Sequence, residues 1–419
     1  MGSIAAVGFG ADTPTTLTGQ SEIMIAARDK RRTMARARVL TGVNSATAST
    51  TAGSTWHLTA AADGKFTHIA PVFQSIESGT VAITSCAVAP ILGSTAGSVP
   101  HSSATYVPVL FSGASSGLMP VRVAASVPTF YVGDMTPCKA LAPDANGLYW
   151  LAIRAYFAGT GYSYRVISAL TGLAGSGGQL ANHGWSQMTQ AVDGVTTPAN
   201  FTNATAGTAQ VIMGFITLND VGGAIIASFG DSTVAGVGSA SGAVSAEGLS
   251  IYTLSGSANK YSHMNCGIPG SSPAVYGAFA RSTLTSMGRY INHAIYRISS
   301  INDPCNTQAK QDAHWAEALR FVEACQAAGI TPILETCTPQ NLGSVSADQY
   351  RKGINDLARA GDGVDWLVID VDAAVADTGS LSWQYRPAYN SGDNSHPNLA
   401  GYQQIDTVAV RPVLMKILR

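Results

Sequence analysis

Between Ser54 and Leu218 the chain alternates short apolar runs with clusters of Gly, Ser, Asn and Pro. The runs THIAPVFQSI, GTVAITSCAVAPI, YVPVLFSG, LYWLAIRAYFAG and AQVIMGFITL are rich in β-branched and aromatic residues. Runs of that length, spaced by turn signals, predict an all-β sandwich or jelly roll. The pattern changes at Gly222. Apolar runs such as GAIIASFG, KYSHMNCG, HAIYRIS, TPILETC and DWLVIDVD now alternate with amphipathic stretches, among them TQAKQDAHWAEALRFVEACQAAG and SADQYRKGINDLARAG. Apolar, β-rich strands alternating with helices predict an α/β domain, a three-layer α/β/α arrangement on a parallel sheet. Three units follow: an extension over 1–53, a β-sandwich or jelly-roll domain over 54–220, and the α/β domain over 221–419.

The extension holds the densest positive charge. In SEIMIAARDKRRTMARARVL, Arg28, Lys30, Arg31, Arg32, Arg36 and Arg38 sit among good helix formers, so a helix is expected there. It reads either as a solvated face or as an arm for a partner subunit or an acidic surface.

Composition narrows the function classes. Hydrophobic residues are 46% of the chain and charged residues 12%, about half the usual charged share. The formal net charge of −1 argues against a nucleic-acid partner. No membrane span is visible, since no stretch has eighteen consecutive apolar residues. No secretory signal peptide is visible at the N-terminus either. The polar, charge-poor composition nevertheless suits an exported (extracellular or periplasmic) or virion-borne protein. The six cysteines form no C-x-x-C pair, which speaks against zinc and for buried thiols. No H-x-H or H-E-x-x-H spacing occurs, so neither a metal nor an organic cofactor is expected.

In an open parallel sheet, functional groups gather at the carboxyl ends of strands. The first apolar run of the α/β part ends at Gly230-Asp231-Ser232, the second at Asn265-Cys266-Gly267-Ile268-Pro269-Gly270, the third at Ser300-Ile301-Asn302-Asp303. Asp393-Asn394-Ser395-His396-Pro397 precedes the last helix. A serine is a weak nucleophile that needs a base, and the base needs an orienting acid. Asp393 and His396, three apart on a tight loop, supply both for Ser232. Acyl transfer also needs donors aimed at the developing oxyanion. The Ser232 N–H, the Gly270 N–H and the Asn302 amide are the candidates. Asp231 reads either as a helix N-cap or as a substrate contact. Trp383, Tyr385 and Arg386 either line a sugar or aryl-ester pocket or pack against the β domain. His314, in the long amphipathic helix, is expected at the surface or its boundary.

In order and spacing, these four blocks resemble those of the SGNH (GDSL-type) serine hydrolase superfamily, over roughly residues 222–419. The resemblance implies Ser232 as nucleophile, His396 as general base and acid, Asp393 as its orienter, and Ser232, Gly270 and Asn302 as the oxyanion hole. Gly270 is preferred because it lies five residues after Asn265, as in the family pattern, whereas Gly267 reads as a turn residue. Ser300 departs from the pattern, which has glycine two residues before the Asn. An all-β domain before an SGNH domain is similar to some carbohydrate esterases. A serine esterase acting on short acyl groups, acetyl above all, and on an acetylated saccharide is therefore the expectation. The alternatives are a lipase or arylesterase of the same superfamily, and a structural or adhesive phage-type protein with a degenerate hydrolase domain. A homo-oligomer is left open.

Overall fold

In a computed structural model of the chain, the described residues run from 35 to 417, apart from 41–45, 49–52, 63, 94–103, 125–126, 146, 159–162, 167–182, 189–192, 196–204, 207–208, 211, 220–223, 238–260, 341–343 and 380–383. The longer strands of the first half are β1 (Ala35–Leu40), β2 (Ser54–Ala62), β3 (Phe66–Ser75), β4 (Ser85–Ile91), β5 (Thr129–Val132), β6 (Tyr149–Phe157), β7 (His183–Met188) and β8 (Ile212–Asn219). Strands β9 (Ala224–Gly230), β10 (Tyr261–Gly267), β11 (His293–Arg297), β12 (Thr331–Glu335) and β13 (Leu367–Ile369) follow. They alternate with helices α1 (Ser232–Ala235), α2 (Pro273–Met287), α3 (Gln308–Ala327), α4 (Val345–Ala360) and α5 (Val371–Val375). Helices α6 (Leu399–Ile405) and α7 (Arg411–Ile417) close the chain, joined by a π-helical turn over Asp406–Val410.

Strands β10, β9, β11, β12 and β13 pair in that order, all in parallel. This is the α/β sheet that the strand–helix alternation predicts. Its two faces carry different cores, because side chains alternate along a strand. Ile225, Ala227 and Phe229 of β9 pack with Phe279 of α2 and Phe321 of α3. Ile226 points the other way, into a core with Tyr402 and Ile405 of α6 and Leu414 of α7.

The β-rich half differs from the expectation. The parallel sheet does not end at β10: β1 pairs parallel to β10 and antiparallel to β8, and β8 pairs antiparallel to β3. One ten-stranded sheet therefore crosses the expected boundary at 220–221. A second, antiparallel sheet of β7, β2, β6 and β4 lies against this extension. Trp56 and Leu58 of β2 and Leu151 and Ile153 of β6 share a core with Ile69 and Phe73 of β3 and Phe215 of β8. The opposite face of the same strands, Ala70 and Val72 of β3 and Ile216 and Leu218 of β8, joins the core under α2. The two halves thus share one sheet and, through one face of β3 and β8, the core under α2, while the core between the two sheets belongs to the first half alone.

The extension is also corrected. Residues Ala35–Leu40, with Arg36 and Arg38, form a strand in the middle of the large sheet, not a helix. Their sequence, ARARVL, alternates with the period of a strand, and β1 is paired along one edge by β8 and at Val39 and Leu40 by β10. Arg28, Lys30, Arg31 and Arg32 lie outside the described residues. All six cysteines are buried and none is in a disulfide. Among the described residues, no helix is long and apolar enough to cross a membrane.

Candidate active site

Strand β9 delivers Ser232 to the carboxyl edge of the sheet. Asp231 caps the short helix α1, its Oδ1 accepting the Thr233 N–H at 2.9 Å. Ser232 is the first helical residue and is largely buried. Gly267, at the end of β10, carries the back of this helix: a Cβ there would lie 2.5 Å from the Ala235 backbone nitrogen. Gly267 is thus a packing residue at a strand end, not a turn residue. Tyr402 of α6 fixes the other end of α1, its hydroxyl 3.1 Å from the Thr233 carbonyl and 2.7 Å from that of Val237.

His396 arrives from the loop before α6. Its Nε2 lies 2.7 Å from Ser232 Oγ, and its Nδ1 lies 2.6 Å from Asp393 Oδ2. A carboxylate only accepts, so Nδ1 carries the proton, Nε2 is the acceptor, and the Ser232 hydroxyl donates to it. Asn394 takes a left-handed conformation (φ 58°) that asparagine tolerates, and turns the loop between the pair. Asp393 also accepts from the Ser391 hydroxyl at 2.7 Å, the Ser395 N–H at 2.8 Å and the His396 N–H at 2.9 Å. Partial burial pushes its carboxyl up. The bonds from His396, Ser391 and the two N–H groups outweigh that and hold it well below the usual carboxylate range.

The expected oxyanion donors sit on two neighbouring loops. Gly270 has φ 77°, a conformation that favours glycine, and a Cβ there would meet nothing within 4 Å. Asn302 is exposed. Its Nδ2 donates to Ser300 Oγ at 3.2 Å and to the Ser271 carbonyl at 3.3 Å.

Several residues that organise the site escape a reading of the motifs. Ser300 is fully buried, and its hydroxyl lies 2.7 Å from Asp231 Oδ2 and 2.8 Å from the Ser271 carbonyl. Its departure from the usual glycine was the signal. Arg297, at the end of β11, is buried beside the turn that carries Ser232. Its Nη1 donates to Glu335 Oε1 at 2.7 Å and its Nε to the Ser299 carbonyl at 3.2 Å, with Asp231 Oδ1 3.5 Å away. Burial pushes the Glu335 carboxyl up to about 7, against the pull of Arg297. One guanidinium faces two acids here, which favours keeping a proton on one of them.

His314 is buried, not at the surface. Its Nδ1 lies 3.1 Å from Ser299 Oγ and its Nε2 3.2 Å from Asp303 Oδ2. This pair anchors the far side of the loop that carries Asn302.

Three of the four candidate substrate contacts are placed elsewhere or otherwise engaged. Asp231 has no exposed surface and serves as the cap and as the acceptor of Ser300. Tyr385 is buried, its hydroxyl donating to the Ser395 carbonyl at 3.2 Å, where it supports the histidine loop. Arg386 donates to the carbonyls of Ala376 and Ala373 at the end of α5. Trp383 lies outside the described residues. Among the described residues no group of three or more His, Cys, Asp or Glu is placed to hold a metal ion.

No protein-family model and no curated protein matches this chain. Solved structures do. A variant of an acetyl xylan esterase from Geobacillus stearothermophilus is 19% identical, with TM-score 0.34 over 46% of this chain and 95% of that one. A lipase/acylhydrolase from Enterococcus faecalis is 17% identical, with TM-score 0.34 over 46% and 96%. A GDSL-like lipase from Bacteroides thetaiotaomicron is 14% identical, with TM-score 0.34 over 46% and 87%.

Proposed function

We propose that this chain is an SGNH-type serine hydrolase that cleaves carboxylic esters through an acyl-enzyme on Ser232. The observation that carries the reading is the 2.7 Å contact between Ser232 Oγ and His396 Nε2, with Asp393 on the far ring nitrogen. In that arrangement Oγ attacks the ester carbonyl as His396 Nε2 takes its proton. The imidazolium that forms is stabilised by Asp393, which stays ionised because four donors hold it. The tetrahedral oxyanion is received by the N–H groups of Ser232 and Gly270 and by the Asn302 amide. Collapse expels the alcohol, which takes the proton from His396. Water, deprotonated by the same nitrogen, then attacks the acyl-enzyme and releases the acid and Ser232.

The substrate class proposed is a short acyl ester, acetyl above all, carried on a saccharide. The resemblance of an SGNH block set behind a β-rich half to carbohydrate esterases supports it. A series of p-nitrophenyl esters from acetate to palmitate, followed by peracetylated xylo-oligosaccharides, tests the proposal. Turnover that falls steeply beyond butyrate, together with acetate release from the oligosaccharide, is expected. A preference for long chains would turn the reading to a lipase.

A further inference from the structure

Resting on the ester-hydrolase reading, we infer that Ser300 is a positioning residue of the oxyanion hole, whose hydroxyl ties three strand-end loops together and aims the Asn302 amide. Its Oγ has a single proton and two acceptors in reach, Asp231 Oδ2 at 2.7 Å and the Ser271 carbonyl at 2.8 Å. The carboxylate, paired with Arg297, is the stronger acceptor, so the proton goes to Asp231. The lone pairs of Oγ then face Asn302. They accept its backbone N–H at 3.1 Å and one Nδ2 hydrogen at 3.2 Å. The Asn302 side chain is thereby held by its own loop neighbour. The Ser271 carbonyl lies 3.3 Å from the same Nδ2 and 2.8 Å from Ser300 Oγ, so the two acceptors sit on one side of the amide and share that hydrogen. The other Nδ2 hydrogen, about 120° away on the planar amide, points away from both acceptors and is the one that can donate to a developing oxyanion while the first keeps the amide oriented.

The chain of contacts reaches the nucleophile. Asp231 precedes Ser232 and caps the turn on which it sits, so the serine turn and Asn302 are fixed to one carboxylate. A glycine at 300, as in the family pattern, would have to orient the amide by other means. The burial of Ser300 and the acceptance of both Asn302 donors by one oxygen carry the inference.

A double-mutant cycle tests the inference, with Ser300→Ala, Asn302→Ala and the pair measured on p-nitrophenyl acetate. The same proteins are assayed for the rate at which a fluorophosphonate labels Ser232. In that labelling Oγ bonds to phosphorus, fluoride leaves, and the phosphonyl oxygen occupies the hole. Asn302→Ala should slow both reactions by roughly a hundredfold, as for loss of an oxyanion donor, and Ser300→Ala by roughly tenfold in kcat with KM unchanged. The pair should be no slower than Asn302→Ala alone, because Ser300 acts through that amide. A merely structural role would give effects that add, and additivity overturns the inference. So does a folded Ser300→Ala with wild-type rates. Where Ser300→Ala fails to fold, Ser300→Cys, with a weaker donor of similar size, takes its place in the cycle. A wild type that labels but turns over no ester defeats the hydrolase reading alone, and the cycle is then read from labelling. A wild type that does neither overturns both.

Discussion

Arg297 Nη1 lies 2.7 Å from Glu335 Oε1, and the two residues are register partners at the carboxyl ends of β11 and β12. Both are buried, and Arg297 also comes within 3.5 Å of Asp231 in the turn that carries Ser232. Removing one member of such a pair leaves a buried charge without compensation. Arg297→Met should therefore cost about 3–5 kcal/mol in denaturant unfolding. Glu335→Gln keeps an acceptor for the guanidinium and should cost far less. The pair also sets a pH dependence. The folded Glu335 titrates near 7, against an ordinary 4.5. Between those values the folded state holds the extra proton, so the contribution of Glu335 to stability falls as pH rises through that window. The melting temperature of Glu335→Gln should gain on the wild type between about pH 5 and pH 8. A constant difference across that range would contradict the assignment.

Asp393 differs from Glu335 in sitting on an exposed loop with its carboxyl held low. Its loss should leave the fold intact and strike the proposed relay of Asp393, His396 and Ser232. Asp393→Ala is expected to lower kcat by roughly three to four orders of magnitude with little change in melting temperature. Because the carboxyl stays ionised far into the acid range, the acid limb of the wild-type profile should not come from its titration. A profile whose acid limb vanishes in Asp393→Asn would oppose this.

Two glycines near Ser232 should respond differently to alanine. At Gly267 the new Cβ would meet the α1 backbone at 2.5 Å, so the helix bearing Ser232 must shift. Activity should fall by far more than stability, since small misplacements of reacting groups cost about a hundredfold. At Gly270 nothing opposes the Cβ, and the cost is that of a left-handed alanine, roughly 1–2 kcal/mol. Melting curves and kcat for Gly267→Ala and Gly270→Ala separate the two. Equal losses of kcat would contradict the packing argument.

His314 predicts a linked effect on the Asn302 loop. Burial lowers the pKa of its ring, which then stands neutral between Ser299 and Asp303. His314→Ala leaves two buried or half-buried partners short of one bond each, worth about 1–3 kcal/mol. A fall in kcat at unchanged KM should accompany the lower melting temperature, because Asp303 is the neighbour of Asn302.

The parts of the site that were legible in the sequence are those in which chemistry fixes both residue type and spacing. A serine after an apolar strand, and an acid three residues before a histidine, announce themselves because a relay needs them close in space. The supports were less legible. Arg297 and Glu335 are ordinary members of apolar runs, and only strand register brings them together. The role of Ser300 was hinted at by its departure from glycine, but its partners, Asp231 and Ser271, come from other loops. The continuous sheet was hidden for a related reason. Alternation predicts that a strand exists, not which strand it pairs with, and β1 joins the halves through partners more than 170 residues away. In its own segment, the good helix formers around Arg28–Arg38 outweighed a period-2 alternation in ARARVL that was correct.

The most direct test of the central claim is hydrolysis of p-nitrophenyl acetate by the wild type and by Ser232→Ala, with both proteins shown to be folded by the same melting curve. Turnover by the wild type and a loss of several orders of magnitude in Ser232→Ala is the predicted result. Equal rates in the two proteins would contradict the assignment of Ser232 as the nucleophile.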